Sequence, residues 1–339
     1  MAQKADAVFE GGGVKGIGLV GALQTFEDAG FQWNNVAGTS AGAIVAALVA
    51  VGYTASEIRE IMTTRVNFRE LMDPSTLGRF PWVGPWLSAV FDRGKYRGDF
   101  FLNLMRQLMA EKAGKERVTF KDLILPKEPS DSDEEYQKRF KYKLQVIATD
   151  ISGSQILVLP YDIAKLGTDP DDLEVALAVR MSMSIPFFFR PVVFGEGDHR
   201  QHPHWIVDGG VISTFPIWLF DSAPGQLPPW PTVGFLLWEP GSGGPSYENI
   251  RGPISMTLAL ARAMNQALDR KVLETTDLSR IVKIPTGNIE STNFDLTPAD
   301  RDFLYGNGVA SGKEFLDGWS FDQYVVQRVS KELNVSQTG

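Results

Sequence analysis

The 339-residue chain has no cysteine and only three histidines. The first absence excludes disulfides, thiolate nucleophiles and thiolate metal sites. It also fits a reducing compartment, so a cytoplasmic location is expected. The second leaves His199, His202 and His204 as the only imidazoles, all within GDHRQHPH. No apolar run reaches the roughly 18 residues that a membrane-spanning helix needs, and MAQKADAVFEGGG lacks the apolar centre of a secretory signal. Positive charge is in deficit: 33 Lys and Arg stand against 41 Asp and Glu, a net charge of -8. That balance argues against nucleic acid as a partner. Lipid contact, if it occurs, is expected to be peripheral and to use a local apolar or basic patch.

What the chain does have is an ordinary globular balance, 43% hydrophobic and 22% charged. Its most informative stretch is FQWNNVAGTSAGAIVAALVA, residues 31–50. A short strand ends near Thr39, and a small-residue apolar helix begins at Ala41. Gly38-Thr39-Ser40-Ala41-Gly42 between them fits G-x-S-x-G, the elbow that lifts a serine nucleophile clear of a sheet. Gly38 and Gly42 suit a strained turn that tolerates no side chains on either approach. The plainer reading is a glycine-bounded turn in which Thr39 or Ser40 caps the helix.

Upstream, a strand at 5–9 runs into Glu10-Gly11-Gly12-Gly13-Val14-Lys15-Gly16, and a helix is predicted over 17–29 with Leu19, Leu23 and Phe26 on one side. This β-loop-α-β-turn-α order begins a parallel, doubly covered sheet. Gly11, Gly13 and Gly16 also fit the dinucleotide fingerprint G-x-G-x-x-G. That motif needs an acid at the end of the next strand, and Val36-Ala37-Gly38 has none. The glycines serve acyl transfer better: amides of Gly12 or Gly13, with that of Ala41, can meet over the oxyanion of a tetrahedral intermediate.

Further along, residues 68–100 read as an aromatic, Gly- and Pro-rich excursion, a lid, a wall or a small core of its own. Residues 126–139 read as a charged surface loop, and 142–149 and 156–159 as paired strands. A helix is predicted over 169–181. Phe187–Phe189 enter an apolar turn that is either core or a substrate wall. Strands follow at 205–207, 233–237 and 280–284, with a long helix at 255–275. The terminal helix at 303–315 is weakened by Gly306 and Gly308. The tail after 333 should fray. Without a repeat or linker, one domain over 1–339 is expected.

A serine needs a base. The histidine cluster offers His204, or a metal pair, or simply a polar loop entering a strand. Taken together, the motifs resemble the patatin-like phospholipases, lipid acyl hydrolases with a Ser–Asp dyad. The resemblance rests on the glycine loop with Lys15 at its basic position, on Gly38–Gly42, on Asp208-Gly209-Gly210 and on the segment around Ser184-Ile185-Pro186, and it covers residues 5–220. It implies a three-layer α/β/α sandwich over a mainly parallel sheet. It further implies Ser40 as nucleophile, Asp208 as base, no cofactor or metal, and a phospholipid, lysophospholipid or other acyl ester as substrate. Gly11, Lys15, Gly16, Gly209 and Gly210 would support the site. Lys15 would orient the loop or attract a phosphate, unless it is a plain solvent-facing residue. A serine acyltransferase and a non-catalytic lipid-binding protein are the alternatives on the same scaffold.

Overall fold

A computed structural model describes residues 3–66, 73, 94–129, 132–195, 202–222, 226–238, 278–291 and 293–326. Most of the expected excursion at 68–100, the predicted helix at 255–275, His199 and the tail after 333 lie outside the described residues.

The first half alternates strand and helix: β1 (Gln3–Phe9), α1 (Ile17–Asp28), β2 (Phe31–Thr39), α2 (Ala41–Ala50) and α3 (Ala55–Thr64). A short β3 (Gly94–Tyr96) and α4 (Asp99–Ala113) precede β4 (Leu144–Asp150) and β5 (Gln155–Leu159). Then come α5 (Val175–Ser182), β6 (Phe187–Phe189), β7 (Val192–Phe194), β8 (His204–Asp208), β9 (Thr232–Trp238), β10 (Ile281–Pro285) and α6 (Pro298–Gly318). Eight strands form one sheet in the order β10-β9-β1-β2-β4-β8-β7, with β5 also paired to β4. The run from β10 to β4 is parallel, β5 and β8 pair antiparallel with β4, and β7 pairs antiparallel with β8.

The strands read as continuous apolar runs because both sheet faces are covered. Alternate residues divide between two cores: Ala7, Phe9, Val36, Val146, Ala148 and Phe235 face the helix-covered side, and Val8, Ala37, Ile147 and Leu236 the other. This is a mixed α/β fold with helices flanking a central sheet, consistent with the expected sandwich.

Three local expectations need correction. Residues 169–181 are not one helix: a short 3₁₀ turn (Pro170–Asp172) is separated from α5 by extended Leu173 and Glu174. Tertiary pairing prevails there, since the Phe120 amide donates to the Leu173 carbonyl and Thr119 bridges Glu174. Phe187–Phe189 form β6 beside β3 rather than a turn. Gly308 does more than weaken α6, because a Cβ there would fall 2.0 Å from the Gly18 carbonyl oxygen. The glycine lets α6 lie directly on α1.

Candidate active site

One edge of β4 builds the site. Its first half pairs with β2, ending at Thr39 beside Ile147. Its second half pairs with antiparallel β8, which ends with Asp208 beside Ala148. Because β5 occupies the opposite edge over the same residues, β2 and β8 meet tip to tip. The residue after one tip, Ser40, and the last residue of the other, Asp208, therefore become neighbours across 168 positions of sequence.

Ser40 holds φ 52° and ψ -121°, a left-handed conformation that costs a non-glycine residue about 1–3 kcal/mol. The turn survives because its flanks carry no side chains: a Cβ on Gly38 would lie 2.3 Å from the Gly42 backbone, and one on Gly42 would lie 2.2 Å from the Phe9 carbonyl oxygen. Ser40 does not cap α2 through its side chain. Its hydroxyl instead donates to Asp208 Oδ2 at 2.7 Å, with Met183 Sδ 3.4 Å away. The other carboxylate oxygen, Oδ1, accepts the Gly210 amide at 2.7 Å. Both side chains are buried. Burial pushes the Asp208 carboxyl up to about 6, against the opposing pull of the Ser40 and Gly210 hydrogen bonds. A carboxylate of that basicity, already accepting a hydrogen bond from the serine hydroxyl, can take its proton as the oxygen attacks an electrophilic carbon.

The glycine loop lies against the same turn. A Cβ on Gly11 would stand 3.3 Å from that of Ser40, and one on Gly16 would stand 3.2 Å from that of Ala41. The Gly11 amide is spent on the Thr214 carbonyl. Those of Gly12, Gly13 and Ala41 have no acceptor among the described residues, as an oxyanion hole requires. Gly13 adopts φ 58°, and a Cβ there would collide with the Ser291 carbonyl oxygen at 2.0 Å. Lys15 is buried, not solvent-facing.

His204 is not brought to Ser40. It begins β8, the strand that ends at Asp208, and its Nδ1 bonds Asp150 Oδ2 at 2.7 Å. Among the described residues no three His, Asp or Glu side chains converge as metal ligands, and no helix is long and apolar enough to cross a membrane.

Sequence reasoning misses Ser182, the last residue of α5, and singles out Ser184 only as part of a family segment. Ser182 Oγ accepts the Ser40 amide at 2.8 Å, and the Ser184 carbonyl accepts the Asp208 amide at 2.9 Å. A serine on an apolar helix end carries no local signal of such a role.

The chain resembles known proteins in sequence and in fold. The chain is 34% identical over 320 residues to the uncharacterized protein YqhO of Bacillus subtilis, covering 93% of this chain and 99% of that one. It is 25% identical over 211 residues to the probable lipid hydrolase 463L of Invertebrate iridescent virus 6, covering 62% of this chain and 61% of that one. In fold it is similar to VipD from Legionella pneumophila, with a TM-score of 0.51 and 18% identity over 93% of this chain and 67% of that chain. The family description "Patatin-like phospholipase" matches residues 7–221, and the chain belongs to that family of Ser–Asp dyad hydrolases of lipid esters.

Proposed function

We propose that this chain hydrolyses acyl esters of phospholipids or lysophospholipids, with Ser40 as nucleophile, Asp208 as general base, and the amides of Gly12, Gly13 and Ala41 as the oxyanion hole. The observation that carries the reading is the 2.7 Å hydrogen bond from Ser40 to a buried carboxylate at a strained elbow. Ser40 Oγ attacks the ester carbonyl while its proton passes to Asp208 Oδ2. The tetrahedral intermediate collapses with loss of the alcohol, which takes up that proton from Asp208. Water then attacks the acyl-enzyme as Asp208 takes its proton, and collapse frees the fatty acid and Ser40, whose oxygen receives that proton back from Asp208. Gly11, Gly16, Gly38, Gly42, Gly209 and Gly210 shape the backbone around these atoms, and buried Lys15 holds the glycine loop in place.

Aromatic rings offer a wall for the acyl chain. Phe188 stacks on Phe294 with ring centroids 5.0 Å apart, and Tyr96 joins them at 4.7 Å from Phe188. Peripheral membrane contact and a cytoplasmic location belong to the same proposal. So does a single-domain organisation, which is supported by one sheet drawing strands from residues 3 to 285 and by α6 packing back on α1.

The test is fluorophosphonate labelling together with fatty-acid release from defined phospholipid vesicles, on wild type, Ser40→Ala and Asp208→Asn. Wild type should label and release fatty acid, with each variant at least about a thousandfold slower. Fatty acid passed to an added alcohol in preference to water would instead mark an acyltransferase. Vesicle binding with no acyl release by the wild type would mark a non-catalytic lipid-binding protein.

A further inference from the structure

The place where β2 and β8 meet leaves a fault in the hydrogen-bond ladder of β4. Ile147, the last β4 residue paired with β2, sits where β8 takes over at Ala148. The backbone is crowded there: a Cβ on Gly209 would lie 2.3 Å from the Ile147 carbonyl oxygen. Across the fault, the strained Ser40 presents an amide that must also find a partner.

One side chain satisfies both groups. Ser182 is fully buried. Its Oγ accepts the Ser40 amide at 2.8 Å and donates to the Ile147 carbonyl at 2.6 Å. The hydroxyl thus bridges the elbow and β4 from a third element, the last residue of α5. Two residues on, the Ser184 carbonyl accepts the Asp208 amide at 2.9 Å. Ser184 Oγ is held in turn by Arg180, whose buried guanidinium also donates to the carbonyls of Arg97, Gly98 and Arg190. A single helix end therefore fixes both members of the dyad, the nucleophile through Ser182 and the base through Ser184.

We propose that Ser182 is a positioning residue for the hydrolysis, one that holds the Ser40 backbone in its strained conformation and sets the distance from Ser40 Oγ to Asp208. This rests on the Ser40–Asp208 reading of the site. Taking up the Ser40 amide has a second consequence. That N–H is turned away from the reacting carbonyl oxygen, so the oxyanion falls to Ala41 and the glycine loop. Ser182 touches no substrate. Its loss acts through the placement of Ser40, and a displacement near 1 Å is worth about a hundredfold in rate.

The experiment compares Ser182→Ala, Ser182→Thr and Ser182→Cys with wild type and Ser40→Ala. Fatty-acid release is normalised to competent sites by fluorophosphonate titration, so that unfolded enzyme does not count. Ser182→Ala should lower kcat about 10- to 100-fold with KM within about threefold of wild type, and slow fluorophosphonate labelling in parallel. Ser182→Thr keeps the bridging hydroxyl and should recover most of kcat, while Ser182→Cys, a weak donor and acceptor, should fall between the two. If the alanine variant cannot be obtained folded, the threonine and cysteine pair decides: equal kcat in both overturns the proposal. A normalised kcat for Ser182→Ala within twofold of wild type, or a loss confined to KM, also overturns it. Either result beside an inactive Ser40→Ala leaves the dyad reading standing, whereas an active Ser40→Ala refutes that reading itself.

Discussion

Replacing Asp208 by asparagine should abolish hydrolysis and, at the same time, stabilise the protein. In the folded chain burial lifts this carboxyl from an ordinary 3.8 to about 6. At neutral pH the folded protein therefore holds an ionised group that its surroundings disfavour. The sign follows from proton linkage. Between pH 4 and 6 the folded state binds more protons at this position than the unfolded chain, so stability falls as pH rises through that window and stays reduced above it. At about 1.4 kcal/mol per pKa unit, the displacement from 3.8 to about 6 corresponds to about 3 kcal/mol. Asparagine keeps the shape, accepts the Gly210 amide through Oδ1 and leaves the Ser40 hydroxyl free to turn. For 339 residues, with an unfolding entropy of about 2.1 cal/mol/K per residue, 3 kcal/mol raises Tm by about 4 °C. The assay is thermal unfolding of both proteins from pH 4 to 8. Asp208→Asn should unfold at the higher temperature at pH 7–8, and the difference should vanish towards pH 4. A variant no more stable than wild type at pH 8, or a difference that persists unchanged at pH 4, would refute the account of Asp208 as a buried, elevated carboxylate.

Other outcomes follow from the same geometry. As the proposed base, Asp208 must be ionised to accept the Ser40 proton, so wild-type kcat/KM should fall tenfold per pH unit below about 6; a profile flat down to pH 4.5 contradicts that role. His204→Gln should retain kcat within about threefold, since the imidazole is bonded to Asp150 at the far end of β8 and the glutamine amide can donate to the same carboxylate, whereas a loss near 10⁴-fold would identify histidine as the base. Gly42→Ala should destabilise the fold by more than about 3 kcal/mol in denaturant titration, because its Cβ meets the Phe9 carbonyl oxygen at 2.2 Å with nothing flexible to yield.

The parts of the site legible in sequence are those whose physics is local. A strand, a turn that excludes side chains and a small-residue helix can be read from Val36 to Ala50, and the alternation of glycines predicts the backbone crowding found around Ser40. The proposed base is not legible in that way. Nothing near Ser40 in sequence points to residue 208; only the resemblance of Asp208-Gly209-Gly210 to a family motif did. For Lys15 the sequence leaves loop orientation, phosphate attraction and plain solvent exposure all open, because burial depends on how the glycine loop docks, not on the residues beside it. Residues 169–181 looked like one helix, because acids followed by apolar residues have that pattern. The break at Glu174 reflects distant partners: Arg106 grips its carboxylate at 2.6 and 2.8 Å, and the Val118 carbonyl takes the Val175 amide.

The illegibility of residue 208 has its origin in β4. A strand that changes partner along one edge brings two chain ends together without any sequence signature at either end, because the join is set by register. The register of β8 is held at both ends. At one end His204 bonds Asp150, which also receives the amides of Ser152 and Gly153 in the turn between β4 and β5. At the other, the Asp208 amide bonds the Ser184 carbonyl. A slip of β8 by a single residue would turn Asp208 to the opposite face of the sheet. The 2.7 Å contact with Ser40 thus depends on anchors spread from residue 150 to residue 204. The histidine that looked like a candidate base acts instead on the strand that presents the aspartate.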